Sequence, residues 1–211
     1  MSVLLDQPLR TVLDTLASSA PTPGGGSAAA ITGAMAAGLL TMVCDLTIGR
    51  KAYAGFDTEA RTIRARAEAL RLRLQDLAHD DIAVFTALSA AYRLEKTTDA
   101  ARSTRAAAIQ YALQAATIVP LAIAEAAAAV LPLGLPLAES GSRLAVSDVG
   151  VAAHLARAAV PAALLSVAIN LAQLDDADFI DNARQRMAAL HAGLAETTDA
   201  ILARVAARVA S

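Results

Sequence analysis

The sequence has no tryptophan and only three tyrosines and three phenylalanines in 211 residues. Aromatic rings cannot then fill a core, and the work falls to the Ala, Leu, Val and Ile that dominate an apolar share of 56%. Alanine is the strongest helix former, so its abundance points to closely packed helices. A single cysteine, Cys44, excludes an internal disulfide and fits a reducing compartment. It stands beside Met42 and Val43 in an apolar run and reads as an inert core thiol. Eighteen Lys and Arg stand against 20 Asp and Glu, for a net charge of −2, which leaves no basic field for nucleic acid. His79, His154 and His191 are far apart and form no His-x-x-x-His pair, so no metal site is expected. Residues 1–15 carry Asp6, Arg10 and Asp14 and no basic cluster ahead of an apolar run, so no signal peptide is read and a cytoplasmic location is expected. The mean hydropathy of +0.48 raises the question of a membrane. Ala28 to Cys44 is free of charge, but it is mostly Ala and Gly and ends at Asp45. A helix buried on all sides, at a subunit interface, fits it better than a span, and no membrane partner is expected.

There is no period-2 run and no repeat of solenoid length, which leaves an all-α, single-domain helical bundle over residues 1–211 with about six helices. Leu9, Val12, Leu13 and Leu16 predict a first helix over 3–17. A second is predicted over 27–47, ended by Gly49 with Arg50 and Lys51 at its negative end. Asp57 or Thr58 is expected to cap a long third helix over 59–94. The run Lys96 to Asp99 should cap a fourth over 100–131, kinked or divided at Pro120. Pro132, Gly134, Pro136, Gly141 and Ser142 read as an irregular link. A fifth helix is predicted over 148–173, interrupted at Pro161, and a sixth runs from Phe179 past Val205.

The chemistry centres on Ser18 to Ser27. Pro21 and Pro23 stop the preceding helix, and Gly24, Gly25 and Gly26 let the backbone approach another group with no Cβ between them. Ser27, just before Ala28, Ala29 and Ala30, reads as an N-cap. A glycine loop feeding a helix N-terminus suits an anion or acceptor, or it is a tight turn between packed helices. It lacks the Lys-Ser/Thr of a P-loop and the preceding strand of a dinucleotide fingerprint. On the third helix Asp81 stands four residues from both Leu77 and Phe85 and so shares their apolar stripe, while Asp80 is turned about 100° away. A carboxyl so placed is either paired within the core or poised for proton transfer. Ser147 and Asp148 read as a helix start or a site, Asn170 as a structural hub or a ligand contact, and Lys51 as a helix-end charge or an anion contact. Ser27 has no base nearby in sequence to make it a nucleophile.

The run LASSAPTPGGGSAAAITGAMAAGLLTMVCDLTIGRKAY, Leu16 to Tyr53, resembles the signature of the cyclodeaminase/cyclohydrolase family of folate enzymes. The likeness continues through Asp80-Asp81-Ile82-Ala83-Val84-Phe85, Arg93-Leu94-Glu95-Lys96, Ser147-Asp148-Val149-Gly150-Val151-Ala152 and Ser166-Val167-Ala168-Ile169-Asn170. Glu95 stands where the family has proline and Ser166 where it has asparagine. The resemblance implies an all-helical homodimer acting on a folate, with Asp81 as the catalytic carboxylate and no metal or redox cofactor. Pro23, Gly24, Gly25, Gly26, Ser27, Lys51, Ser147, Asp148 and Asn170 are then the expected substrate contacts. Two reactions are implied. One hydrolyses 5,10-methenyltetrahydrofolate to 10-formyltetrahydrofolate; the other closes formiminotetrahydrofolate with release of ammonia. The lone domain and the PTPGGG…MVCDLTIGRK run look closest to the hydrolytic branch. A helical dimer that binds folate without turning it over is the non-enzymatic alternative.

Overall fold

The computed structural model describes residues 4–210. Among them are eight α-helices and no strand: α1 (Leu9–Leu16), α2 (Gly25–Thr47), α3 (Asp57–Tyr92), α4 (Asp99–Ala128), α5 (Leu131–Ser140), α6 (Val146–Leu171), α7 (Ala177–His191) and α8 (Leu194–Ala210). The all-α class is as expected, and each of the six predicted segments is helical. The count rises because the expected link is itself a helix and the last segment is cut in two. Pro132 sits in the first turn of α5, where a missing N–H costs nothing, and Leu131, Leu133 and Leu137 are buried, so this stretch is helical despite its prolines. Gly193, at φ +74°, ends the helix run between α7 and α8, a backbone state open to glycine.

The architecture follows from small side chains. α2 lies at the centre, packed against α3, α4 and α6. A Cβ on Gly33 would sit 3.2 Å from the Leu74 methyls and 3.3 Å from the Ala127 Cβ, so these backbones approach as closely as they can. Leu74 and Leu77 of α3 are fully buried in this contact, and truncating either to alanine costs about 2–5 kcal/mol. Cys44 is likewise buried, and burial pushes its thiol up to about 12, which makes it inert as expected. α4 is not divided at Pro120 and α6 is not interrupted at Pro161: each helix continues through its proline. Thr98 caps α4, its hydroxyl accepting from the Ala101 N–H at 3.1 Å.

The first helix is shorter than predicted. Its expected start at residue 3 lies outside the described residues, and Pro8 separates a 3-10 turn (Leu4–Asp6) from α1. Only Val12 of its apolar stripe is buried, and Leu9, Leu13 and Leu16 are exposed. Neither expected cap opens α3. The Asp57 carboxylate instead accepts from the Gly49 N–H at 2.6 Å and from Arg61 Nε at 2.7 Å. Three stretches (Gly25–Thr47, Asp99–Ser140 and Arg143–Leu171) are long and apolar enough to cross a membrane by length and composition. In this fold they pack on one another around a shared core.

Candidate active site

Ser18 closes α1 by donating its hydroxyl to the Thr15 carbonyl at 2.7 Å and accepting from the Ala20 N–H at 3.0 Å. The chain then turns through Pro21, Thr22 and Pro23, with a cis Thr22–Pro23 peptide, and enters α2. Gly24 is the N-cap residue, extended at φ −123° and ψ −160°, and its carbonyl receives the Ala28 N–H at 3.0 Å. Ser27 is therefore not the N-cap but the third residue of the helix, because the glycines themselves take up the helical turn. Its hydroxyl, fully buried, is turned away from its own backbone toward α3.

There it meets Asp81. Ser27 Oγ lies 2.8 Å from Asp81 Oδ2 and 3.1 Å from the Ala78 carbonyl, and the Ser27 N–H also reaches the carboxyl. The carboxyl thus occupies the anion position at the N-terminus of α2, across the helix interface. A Cβ on Gly26 would lie 2.1 Å from Asp81 Oδ1, so residue 26 must be glycine for the carboxyl to sit where it does. No cation pairs with Asp81 among the described salt bridges. Burial pushes its pKa above the ordinary aspartate value of 3.8, against a downward pull from the Ser27 hydroxyl and N–H. The serine has one proton and two acceptors. It donates to an ionised Asp81; when Asp81 is protonated, it can accept from the acid and donate to Ala78. Both protonation states of the carboxyl therefore have a partner.

Asp81 lines a cavity of about 360 Å³ between four segments. The glycine loop forms one wall with Gly24, Gly25 and Gly26, and α3 adds Val84, Phe85 and Leu88 beside Asp81. Ala116 of α4 and Ser166, Ile169 and Asn170 of α6 close the far side, with Gln173 just beyond α6. An acid beside the apolar Val84, Phe85 and Leu88, with the polar Ser166, Asn170 and Gln173 opposite, suits proton transfer to a flat, polar-edged ring. Asn170 donates its Nδ2 to the Ala116 carbonyl at 2.7 Å. Tyr92 donates its hydroxyl to Gln173 Oε1 at 2.6 Å, tying the end of α3 to the end of α6. Ser166, marked in the sequence only as a departure, lines the cavity, and Gln173 and Ala116 carried no sequence signal at all.

Of the residues expected to bind substrate, Gly24, Gly25, Gly26 and Asn170 line this cavity with Asp81. Pro23 and Ser27 flank the lining glycines in the chain but do not line the cavity, and Ser27 acts on Asp81 instead. Lys51, Ser147 and Asp148 are not brought here. Lys51 follows the far end of α2, roughly 33 Å of helix from Gly25, and Ser147 and Asp148 open α6, whose other end carries Asn170. They share that far end: the Thr47 hydroxyl oxygen accepts from the Ser142 N–H at 2.9 Å, and Tyr53 Oη accepts from the Arg143 N–H at 2.9 Å. His79 is held apart as well, its Nε2 accepting from the Leu5 N–H at 3.4 Å. Among the described residues no three His, Cys, Asp or Glu side chains are grouped as a metal would need.

The family model described as formiminotransferase-cyclodeaminase matches residues 8–189. A methenyltetrahydrofolate cyclohydrolase from Methylorubrum extorquens is 44% identical over 191 residues, covering 90% of each chain. A formimidoyltransferase-cyclodeaminase from Sus scrofa is 36% identical over 98% of this chain, which spans 38% of that longer protein. The crystal structure of a formiminotetrahydrofolate cyclodeaminase from Thermotoga maritima superposes with a TM-score of 0.87 at 28% identity, over 98% of this chain and 99% of the other.

Proposed function

We propose one reaction for this chain, which belongs to the formiminotransferase-cyclodeaminase family: hydrolysis of 5,10-methenyltetrahydrofolate to 10-formyltetrahydrofolate. The observation that carries the reading is Asp81, a carboxyl with a raised pKa and no cation beside it, on the wall of a cavity where it is the titratable side chain. The methenyl carbon bridges N5 and N10 and carries a delocalised positive charge. Ionised Asp81 stabilises that cation and accepts a proton from the attacking water, whose oxygen bonds to the carbon. The tetrahedral carbon then opens. Asp81 returns the proton to N5 as the C–N5 bond breaks, and the hydroxyl loses its own proton as the N10 formyl group forms. One water is consumed and one proton leaves. Hydrolysis is chosen over ring closure with ammonia release because the relative at 44% identity is a cyclohydrolase. The superposition on a cyclodeaminase keeps the second reaction as the alternative.

The working unit we propose is a homodimer in the cytoplasm. α1, α2, α4 and α6 leave large apolar side chains uncovered, among them Leu9, Met35, Tyr111 and Leu165, and a second copy of the chain is the partner that would cover them. In such a dimer Lys51, Ser147 and Asp148 contact substrate only if the second copy supplies them. The deciding experiment follows the loss of methenyltetrahydrofolate absorbance and, in parallel, ammonia released from formiminotetrahydrofolate. Turnover of the first without ammonia from the second is expected. Ammonia release alone gives the cyclodeaminase, and binding without either reaction gives a folate-binding protein.

A further inference from the structure

We propose that Pro120 is a positioning residue for Asn170: it holds the amide so that Oδ1 faces the cavity and accepts a hydrogen bond from an N–H of the pteridine. The ligand in this inference rests on the folate reading above; the contact between the two residues does not. In an α-helix the carbonyl of Ala116 accepts from the N–H of residue 120. Proline has no N–H, so this carbonyl of α4 loses its helical donor although Ala116 is buried. Asn170 replaces it from α6, with Nδ2 at 2.7 Å from the Ala116 oxygen. A carbonyl only accepts, so the amide atom turned toward it must be the NH2 group, and the orientation of the side chain is fixed by chemistry. The other arm of the amide, Oδ1, has no protein donor among the described residues, on a side chain that lines the cavity. An amide oxygen selects a donor, and the edge of a reduced pteridine carries ring N–H and amino groups. Asp81 supplies the chemistry from α3, while Asn170 holds the ring from α6. Pro120 touches neither the substrate nor the cavity, and it acts through the carbonyl it leaves free.

The test is a double-mutant cycle of Pro120→Ala and Asn170→Ala on methenyltetrahydrofolate hydrolysis, with side-chain amide exchange at Asn170 followed by NMR in the folate-free protein. Asn170→Ala should raise KM by about tenfold and Pro120→Ala by about fivefold, with kcat within about twofold of wild type, as befits loss of one uniformly made hydrogen bond. In the Asn170→Ala background, Pro120→Ala should change KM by less than about twofold. The amide protons of Asn170 should exchange faster once residue 120 is alanine. Equal KM effects of Pro120→Ala in both backgrounds, or unchanged amide exchange, overturn the proposal. Asn170→Asp answers the same question if Pro120→Ala does not fold. As a carboxylate it repels the Ala116 oxygen; protonated, it donates to it, so its KM penalty relative to wild type should shrink as pH falls. Asp81, the titratable side chain that lines the cavity, would couple to the new carboxyl, so the same ratio is read as folate Kd in the Asp81→Asn background, where that group is absent. A penalty independent of pH overturns the proposal. Wild-type protein that turns over neither folate sinks the proposed function, and amide exchange still decides the Pro120 contact.

Discussion

Two aspartates of α3 sit at the two ends of α2, and each accepts a hydrogen bond from a backbone N–H there. Asp81 takes the N–H of Ser27 at the start of α2, and Asp57 takes that of Gly49 just past its end. Their pKa values are displaced in opposite directions. Asp57 is half-buried at the helix start beside a guanidinium, and the Gly49 N–H, then the Arg61 guanidinium, hold its carboxyl below the ordinary value. Asp81 is half-buried on the cavity wall with no cation beside it, and desolvation lifts it above that value despite two donors from Ser27. The difference separates a structural acid from a chemical one. A backbone donor fixes either carboxyl in place, but only desolvation without a counter-charge raises one toward the range useful for proton transfer.

Exchanging each acid for its amide breaks the comparison most sharply. Asp81→Asn should lower kcat by about 10³-fold, since it removes the proton acceptor and leaves the shape intact. Its melting temperature at neutral pH should not fall, because an amide in that buried position has no charge to desolvate. Asp57→Asn should leave kcat within about twofold of wild type and lower the melting temperature slightly. Steady-state kinetics and thermal melts of the two variants check this; comparable kcat losses would erase the distinction.

The glycines at the two ends give the next contrast. Gly26→Ala places a methyl where Asp81 Oδ1 now lies and should cost about 10²-fold in kcat by moving the carboxyl. Gly49 has open space around it but stands at φ +73°, so Gly49→Ala should cost about 1 kcal/mol of stability with kcat unchanged. Urea melts with parallel kinetics separate the two, because one glycine is needed for space and the other for its backbone angle.

The part of this site legible in the sequence was the part written on one helix. The phase of α3 sets Asp81 with Leu74 and Leu77, and it does face the buried side of the bundle. The glycine run was legible as a close approach, but not what approaches it. Ser27 looks like a cap from its neighbours, whereas its partner lies 54 residues away, and no local pattern encodes that pairing. The same holds for the far wall: Ala116 and Gln173 are ordinary residues until α4 and α6 are docked. Phe85 and Tyr92 continue the apolar stripe in sequence yet are partly exposed, because the stripe runs out of the core into the cavity and its rim. In the link after α4, proline content masked a helix: Pro132 falls in the first turn of α5, and the burial of Leu131, Leu133 and Leu137 holds the helix through Pro136. Gly193 was a readable break, hidden by the apolar spacing that continues across it from Leu190 to Leu194.

The smallest effect is also the one whose sign is least ambiguous. A carboxyl raised in the folded state binds its proton more tightly there than in the unfolded chain. Asp81 therefore contributes stability that is fully present below the ordinary value of 3.8 and is lost as pH rises through its raised folded pKa. Asp57, lowered in the folded state, contributes in the reverse sense: its stability is present above 3.8 and is lost as pH falls through the lowered folded value. Urea melts from pH 3 to pH 7 (about four pH units, starting just below the ordinary aspartate value) should show wild type losing stability relative to Asp81→Asn as pH rises. Against Asp57→Asn, wild type should gain over the lower part of that range. Salt sharpens the contrast. The Arg61–Asp57 pair is exposed and its share should fade in concentrated salt, whereas desolvation of Asp81 involves no ion pair and should persist. Reversed slopes, or equal sensitivity to salt, would mean that burial and pairing do not divide the two acids as argued.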